Sequence, residues 1–187
     1  MKRSTVDQMN EIILYIKKNP NKALYEQYKW QCLEHYAKLI QYHHDIEILI
    51  GKNGKPLIQD NPFYFNISHS YDYYLLACFS SPIGIDIEKH RKKHYQKIAE
   101  RFYTIEEINY VQQYDKQGFF DIWCMKESYT KYLGENIFHI LSDVNMCQNQ
   151  QLIDNNDDCY FTRYPINSDY SCCLVTHCQT KIKEIYF

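Results

Sequence analysis

Near the middle of the chain stands the stretch Pro82-Ile83-Gly84-Ile85-Asp86-Ile87-Glu88. Side chains of a β-strand alternate between two faces, so Gly84, Asp86 and Glu88 share one face and the isoleucines share the other. The isoleucine face predicts a buried strand. The opposite face offers two carboxylates beside a glycine, a donor set that suits a divalent cation such as Mg²⁺ with room for phosphates. By itself the motif is a weak signal of a metal site, because most such acids simply face water at a strand edge.

The composition predicts a folded, soluble protein of one domain or two small lobes. The chain has 187 residues, 45% of them hydrophobic, and a formal net charge of −2. This charge argues against nucleic acid as a partner, because general nucleic-acid binders carry a basic excess. No apolar run approaches the roughly 20 residues that cross a bilayer, and residues 1–7 lack an apolar signal segment. We therefore expect a cytoplasmic protein without a membrane partner, whose eight cysteines are reduced.

Hydrophobic periodicity divides the chain into helical and extended segments. Residues 6–42 predict two helices separated at Asn19-Pro20-Asn21, and the stripe that predicts the first helix consists of Ile12, Ile13 and Ile16. Further helices are predicted at about 95–114 and 121–133, and strands at 45–50, 63–68, 73–79, 83–88, 159–164, 170–176 and 182–186.

The order of helix and then strand occurs twice along the chain. This order predicts an α+β fold of two similar lobes, an N-terminal lobe of about residues 1–82 and a C-terminal lobe of about 83–187. Each lobe is expected to be a small antiparallel sheet packed on helices.

The helix predicted at 121–133 brings charged groups together. At 100° per residue, Glu127 and Lys131 share one side and Lys126 lies on its border. These residues fit either an ordinary Glu–Lys pair on a solvated face or a chemical site with one carboxylate and two ammonium groups. His69 likewise fits either a hydrogen bond to its neighbours or contact with a ligand.

Five fragments, taken in order, resemble the signature set of one family, the 4′-phosphopantetheinyl transferases of the surfactin-synthetase-activating type. The resemblance covers about residues 45–134. The fragments are Gly54-Lys55-Pro56, Phe65-Asn66-Ile67-Ser68-His69-Ser70, Ile83-Gly84-Ile85-Asp86-Ile87-Glu88, Arg101-Phe102-Tyr103-Thr104 and Trp123-Cys124-Met125-Lys126-Glu127-Ser128-Tyr129-Thr130-Lys131.

The resemblance implies a pseudo-dimeric fold and a reaction. The 4′-phosphopantetheine arm of coenzyme A (CoA) would move to a serine of an apo acyl or peptidyl carrier protein, giving the holo-carrier and 3′,5′-ADP. A non-catalytic CoA- or carrier-binding homologue is the alternative.

The resemblance also implies roles for individual residues. Asp86, Glu88 and Glu127 would hold Mg²⁺ on the CoA pyrophosphate. Glu127 would also be the general base for the carrier serine, and Lys131 would stabilise or protonate the departing 3′,5′-ADP. The implied catalytic residues are His69, Glu127 and Lys131. The residues implied to contact CoA are Lys55, Ser68, His69, Lys126 and Lys131.

The resemblance is weaker in the second predicted helix. The family commonly has an arginine, a small hydroxyl residue and a glycine there, which help to grip the CoA 3′-phosphate. This chain has Lys29-Trp30-Gln31-Cys32-Leu33-Glu34 instead. Lys29 is a candidate replacement for the arginine, whereas the hydroxyl and the glycine have no counterpart.

The position of the carboxylate strand bears on the oligomeric state. In the shorter, trimeric branch of the family the corresponding aspartate lies close to the N-terminus, whereas Asp86 follows a full first half. We therefore expect a monomer. The basic stretch Lys89-His90-Arg91-Lys92-Lys93-His94 is either a docking surface for an acidic carrier protein or a solvated loop.

Overall fold

The computed structural model describes residues 11–91, 94–156 and 158–187. The predictions that concern residues 1–10, Lys92 and Lys93 lie outside these ranges. Four α-helices are present in the described ranges: α1 (Tyr25–Leu39), α2 (Tyr95–Phe102), α3 (Ile105–Leu133) and α4 (Phe138–Leu141). The strands are β1 (Glu11–Lys18), β2 (Ile48–Ile50), β3 (Pro56–Ile58), β4 (Tyr64–Ser70), β5 (Tyr73–Phe79), β6 (Ile83–Lys89), β7 (Cys147–Gln148), β8 (Gln151–Leu152), β9 (Tyr160–Arg163), β10 (Tyr170–Thr176) and β11 (Lys181–Tyr186).

The protein has the expected α+β architecture of small sheets packed with helices. One sheet has the order β11-β1-β5-β4, in which the β1–β11 pair is parallel and the other pairs are antiparallel. A second, antiparallel sheet has the order β6-β10-β9, and two short hairpins join β2 to β3 and β7 to β8. Among the described helices, none combines the length and apolarity that a bilayer crossing requires.

Three apolar cores hold these layers together. The first lies between α1 and the four-stranded sheet, where Leu33 and Tyr36 meet Phe63. The second lies between α3 and the three-stranded sheet and contains Met125 and Val175. The third joins the two sheets and contains the isoleucine face of β6. All eight cysteines carry free thiols, and seven of them are buried in the protein.

The first predicted helix is wrong, because residues 11–18 form strand β1. The run from Ile12 to Ile16 is buried on both of its faces. Ile13 and Tyr15 face the core under α1, while Ile12, Leu14 and Ile16 face the core between the sheets. A strand covered on both faces is apolar throughout, so its sequence lacks the alternation that marks a half-buried strand.

The predicted helices 95–114 and 121–133 also differ from the structure in their boundaries. The first divides at Thr104, whose side chain accepts a hydrogen bond from Glu107 N while the Glu107 carboxylate accepts one from Thr104 N. This capping box ends α2 and starts α3. Helix α3 then continues through a single non-helical residue, Asp115, with φ +54°.

Strands β4 and β6 lie side by side although they belong to different sheets. Three β4 side chains accept hydrogen bonds from backbone N–H groups of β6. The pairs are Asn66 Oδ1 with Ile85 N (2.9 Å), Ser68 Oγ with Ile87 N (3.2 Å) and Ser70 Oγ with Lys89 N (3.1 Å). We call these contacts the seam. They satisfy backbone donors of β6 that a neighbouring strand would otherwise satisfy.

Helix α3 packs on the polar face of β6, and the two backbones are in direct contact at Gly84. A Cβ atom at this position would lie 2.0 Å from the Ser128 carbonyl oxygen and 2.6 Å from the Tyr132 nitrogen. No side chain fits in that space, so only glycine lets the helix approach the strand so closely.

We expect Gly84→Ala to destabilise the fold by about 3 kcal/mol or more, because the added methyl group meets rigid backbone. Denaturant unfolding followed by circular dichroism measures this change. The matched control is Gly54→Ala, where a Cβ meets nothing within 4 Å and only the φ of +81° is strained, at about 1 kcal/mol. Equal losses for the two variants would contradict the close contact at Gly84.

Candidate active site

The close approach of α3 to β6 places charged groups of the helix against the polar face of the strand. Asp86 is buried, and its Oδ1 atom accepts a hydrogen bond from Ser68 Oγ (2.9 Å) and pairs with Lys131 Nζ (2.7 Å). Lys131 Nζ also donates to Ser68 Oγ (3.2 Å) and to the Ile85 carbonyl (3.1 Å). Sequence-predicted residues from β4, β6 and α3 therefore meet at one ion pair.

Lys131 remains a cation in this setting. Burial alone would lower its pKa, but the attraction of Asp86 and Glu127 raises the pKa above its ordinary value. The local balance of charge thus favours an ammonium group that faces carboxylates on two elements.

The surroundings of Glu127, by contrast, disfavour its charged form. Burial raises its pKa to about 7, repulsion from Asp86 and Glu88 adds to the rise, and Lys131 opposes it. A partly buried carboxylate close to two others is hard to ionise unless a cation joins the group. The third member, Glu88, accepts hydrogen bonds from Ser70 Oγ (3.4 Å) and Arg91 Nη2 (3.2 Å).

The donor set fits a hard cation chemically. Asp86 Oδ2 is buried and has no hydrogen-bond partner among the described residues. Asp86, Glu88 and Glu127 are carboxylates, which are the ligands that Mg²⁺ prefers. Among residues 11–91, 94–156 and 158–187, however, no three His, Cys, Asp or Glu side chains are already arranged around a point that could hold a metal ion. Lys131 is the cation that neutralises Asp86 here.

His69 lies at the edge of this group and is an exposed residue near the end of β4. Its ring centroid is 4.8 Å from that of Tyr25, in the first turn of α1. Partial burial lowers the His69 pKa, and the positive charges of Lys131 and Lys22 lower it further. Sequence reasoning missed Tyr25 and Lys22, because nothing in the local pattern of residues 22–25 links them to β4.

Lys55 lies at the other end of the site, where it caps α3. Its ammonium donates to the Tyr132 carbonyl (2.8 Å), and burial lowers its pKa to about 8. Asn53 Nδ2 donates to the Gly134 carbonyl (2.9 Å) in the same turn. The loop thus satisfies carbonyl groups that the helix end leaves without partners.

Lys126 is separated from the Asp86 group. Its side chain is fully buried and pairs with Glu107 Oε1 at 2.9 Å. The structure therefore brings together Ser68, Asp86, Glu127 and Lys131, with Glu88 and His69 beside them, but directs Lys126 into the protein interior. Lys29, the candidate for the 3′-phosphate grip, pairs with Glu26 of its own helix (2.7 Å).

Two residues of the seam also support the site, and sequence reasoning gave them no role. Ser70 Oγ donates a hydrogen bond to Glu88, as Ser68 Oγ does to Asp86. Asn66 Oδ1 accepts a hydrogen bond from Ile85 N of β6. The signal that could have found them is the two-residue spacing of Asn66, Ser68 and Ser70, which equals the spacing of the carboxylates Asp86 and Glu88.

Comparison with known proteins supplies the family. Residues 82–175, half of the chain, match the model of the 4′-phosphopantetheinyl transferase superfamily. The chain is 35% identical over 137 residues to the 4′-phosphopantetheinyl transferase Sfp of Bacillus subtilis, a match that covers 67% of this chain and 61% of that protein. It is 39% identical over 95 residues to the 4′-phosphopantetheinyl transferase psf-1 of Bacillus pumilus, covering 48% and 40% of the two chains.

A third relative is the 4′-phosphopantetheinyl transferase gsp of Aneurinibacillus migulanus, 38% identical over 97 residues that cover 49% of this chain and 40% of the relative. The matched regions thus span between 40% and 61% of these relatives. The family match includes the strand of Asp86 and the helix of Glu127, the two elements that form the site. The chain belongs to the 4′-phosphopantetheinyl transferase superfamily.

Proposed function

We propose that this protein transfers the 4′-phosphopantetheine arm of CoA to a serine of an apo acyl or peptidyl carrier protein. The observation that carries the proposal is the group formed by Asp86, Glu127 and Lys131, in a member of this superfamily. A protein that only binds CoA or a carrier would not need a carboxylate and a charged lysine placed together beside Asp86. Both are groups that proton transfer and leaving-group stabilisation require.

The proposed reaction is a phosphoryl-type displacement. The serine hydroxyl oxygen of the carrier attacks the phosphorus next to the pantetheine arm, and the bond from this phosphorus to the oxygen of 3′,5′-ADP breaks. Glu127 accepts the serine proton, and the ammonium of Lys131 stabilises the negative charge that develops on the departing phosphate oxygen. Because the nucleophile belongs to the carrier, the protein needs no nucleophile of its own.

We propose Mg²⁺ as the cation of the site, held by Asp86, Glu88 and Glu127. When bound, it would neutralise the pyrophosphate charge and help to orient the two phosphates. The unpartnered Asp86 Oδ2 and the mutual repulsion of the three carboxylates support this assignment. Coordination would lower the Glu127 pKa, so its role as base depends on an oxygen that stays uncoordinated.

The remaining CoA contacts are assigned by their place around the site. Two residues of β4 are proposed to contact phosphate oxygens: Ser68, whose hydroxyl bonds both Asp86 and Lys131, and the exposed His69. The stem of Lys55 lies against Gly134, with its Cδ 3.3 Å from where a Cβ of residue 134 would be, and is proposed to lie along the adenine. The fully buried Lys126 is not included in this set.

The division into two lobes near residue 82, the monomeric state and the cytoplasmic location remain proposals. The seam supports a boundary between two lobes, because side chains rather than a continuous backbone ladder join β4 to β6. Strand β11 crosses this boundary, since it pairs with β1 in the sheet of the first lobe. We propose that the carrier docks beside β6, where Tyr71 is exposed and its ring lies near Lys89 Nζ (5.1 Å) and the Arg91 guanidinium (5.5 Å). An aromatic ring among cations suits an acidic partner.

Transfer can be tested by mass spectrometry of the carrier. We expect the protein with CoA, Mg²⁺ and an apo carrier to add the mass of one phosphopantetheine group to that carrier. Glu127→Gln should slow transfer by about 10²- to 10⁴-fold, because the amide cannot accept the serine proton. The control Glu100→Gln makes the same change at an exposed position of α2. Near-normal transfer by folded Glu127→Gln would refute its role as base.

The metal assignment predicts a changed Mg²⁺ requirement. Chelation by EDTA should stop transfer and added Mg²⁺ should restore it. Asp86→Asn should raise the half-saturating Mg²⁺ concentration by about ten- to hundredfold, because an amide oxygen is a weaker ligand than a carboxylate. The control Asp154→Asn breaks a surface ion pair with Arg163 instead. An unchanged Mg²⁺ requirement in Asp86→Asn would contradict the assignment.

A further inference from the structure

The ammonium group of Lys126 has no hydrogen-bond donor left for a ligand. The side chain is 0% exposed. Its Nζ contacts Glu107 Oε1 (2.9 Å), the Leu141 carbonyl (2.9 Å) and the Val144 carbonyl. A lysine ammonium has three N–H donors, so these three acceptors use all of them.

Glu107 is equally buried and equally satisfied. Its Oε2 atom accepts a hydrogen bond from Thr104 N (2.9 Å), and its Oε1 atom accepts one from Met146 N (2.8 Å). The Lys126–Glu107 pair therefore joins the start of α3, the later part of α3 and the segment after α4. The break of α3 at Asp115 separates the two parts of the helix that this pair holds together.

The pair lies directly behind the active site. Lys126 immediately precedes Glu127, while the Ser128 carbonyl and the Tyr132 nitrogen of the same helix rest on β6 at Gly84. Helix α3 is thus held from two directions, by backbone contact with β6 and by the buried ion pair. Two such restraints fix the rotation of the helix about its axis, and this rotation decides where Glu127 and Lys131 point.

We propose that Lys126 is a positioning residue, which sets α3 so that Glu127 and Lys131 face Asp86, and that it makes no contact with CoA. This inference rests on the proposed function. A buried ion pair is weak support for stability, because apolar residues of similar volume often replace one without loss. The Lys126–Glu107 pair instead fixes the relative positions of the three segments that it joins.

The first test removes both buried charges together, in the double variant Lys126→Met/Glu107→Gln. Calorimetric titration measures its dissociation constant for CoA, and steady-state assays with a carrier measure kcat. We expect kcat to fall about ten- to hundredfold, because small misplacements of catalytic groups have effects of this size. If Lys126 acts through Lys131, the double variant should weaken CoA binding no further when Lys131→Met is already present. An unchanged kcat would overturn the proposal, and so would a loss of CoA affinity that adds fully to that of Lys131→Met.

Lys126→Arg provides a second, independent variant. An arginine keeps the positive charge and can donate to a phosphate, but its planar fork has five donors and does not fit a closed site with three acceptors. We expect Lys126→Arg to lower the melting temperature and to lose transfer. Full stability and full transfer in this variant would overturn the positioning role.

A third test uses the unaltered protein, so it is informative even if a variant fails to fold. Brief treatment with acetic anhydride followed by peptide mass spectrometry compares Lys126 with the exposed Lys97, with and without CoA. We expect Lys126 to stay unmodified in both states. Modification in the free protein together with protection by CoA would overturn the proposal. Absence of both CoA binding and transfer in the unaltered protein would instead refute the proposed function.

Discussion

The close contact between β6 and α3 at Gly84 is the constraint on which the site depends. The helix backbone lies where the side chain of any other residue would be. Because a strand residue points to the same face as the second residue after it, the contact also presents Asp86 and Glu88 to the helix. Glu127 and Lys131 lie within one turn of the contact point at Ser128. A glycine without chemistry of its own thus decides where the charged groups meet.

The charges at this meeting point are not fully compensated by the described residues. Asp86 has one oxygen paired with Lys131 and one buried oxygen without a partner among the described residues. Glu127 has a raised pKa because burial and two other carboxylates oppose its charge. An additional cation would relieve both conditions at once. The buried Lys126–Glu107 pair is different, since its hydrogen bonds are complete within the protein.

The sequence predicted those parts of the fold whose signal is local. The alternation of residues 83–88 predicted β6, and the helical periodicity after the break at Asn19-Pro20-Asn21 predicted α1. Strand β1 was missed because it is covered on both faces, and only its neighbours reveal that cover. Lys126 shows the same limit for the site. Helical spacing placed it beside Glu127, but the contacts that draw it inward come from Glu107 and Leu141, which are distant in sequence.

The seam explains how two neighbouring strands without a backbone ladder hold both carboxylates. Ser68 Oγ accepts hydrogen bonds from Ile87 N and Lys131 Nζ, and its hydroxyl donates one to Asp86. A hydroxyl has one donor and two acceptor positions, so this side chain is fully used. Ser70 repeats the arrangement two residues later with Lys89 N and Glu88. Because the strand period is two residues, serines spaced by two meet carboxylates spaced by two, and one set of hydrogen bonds both joins the strands and orients the acids.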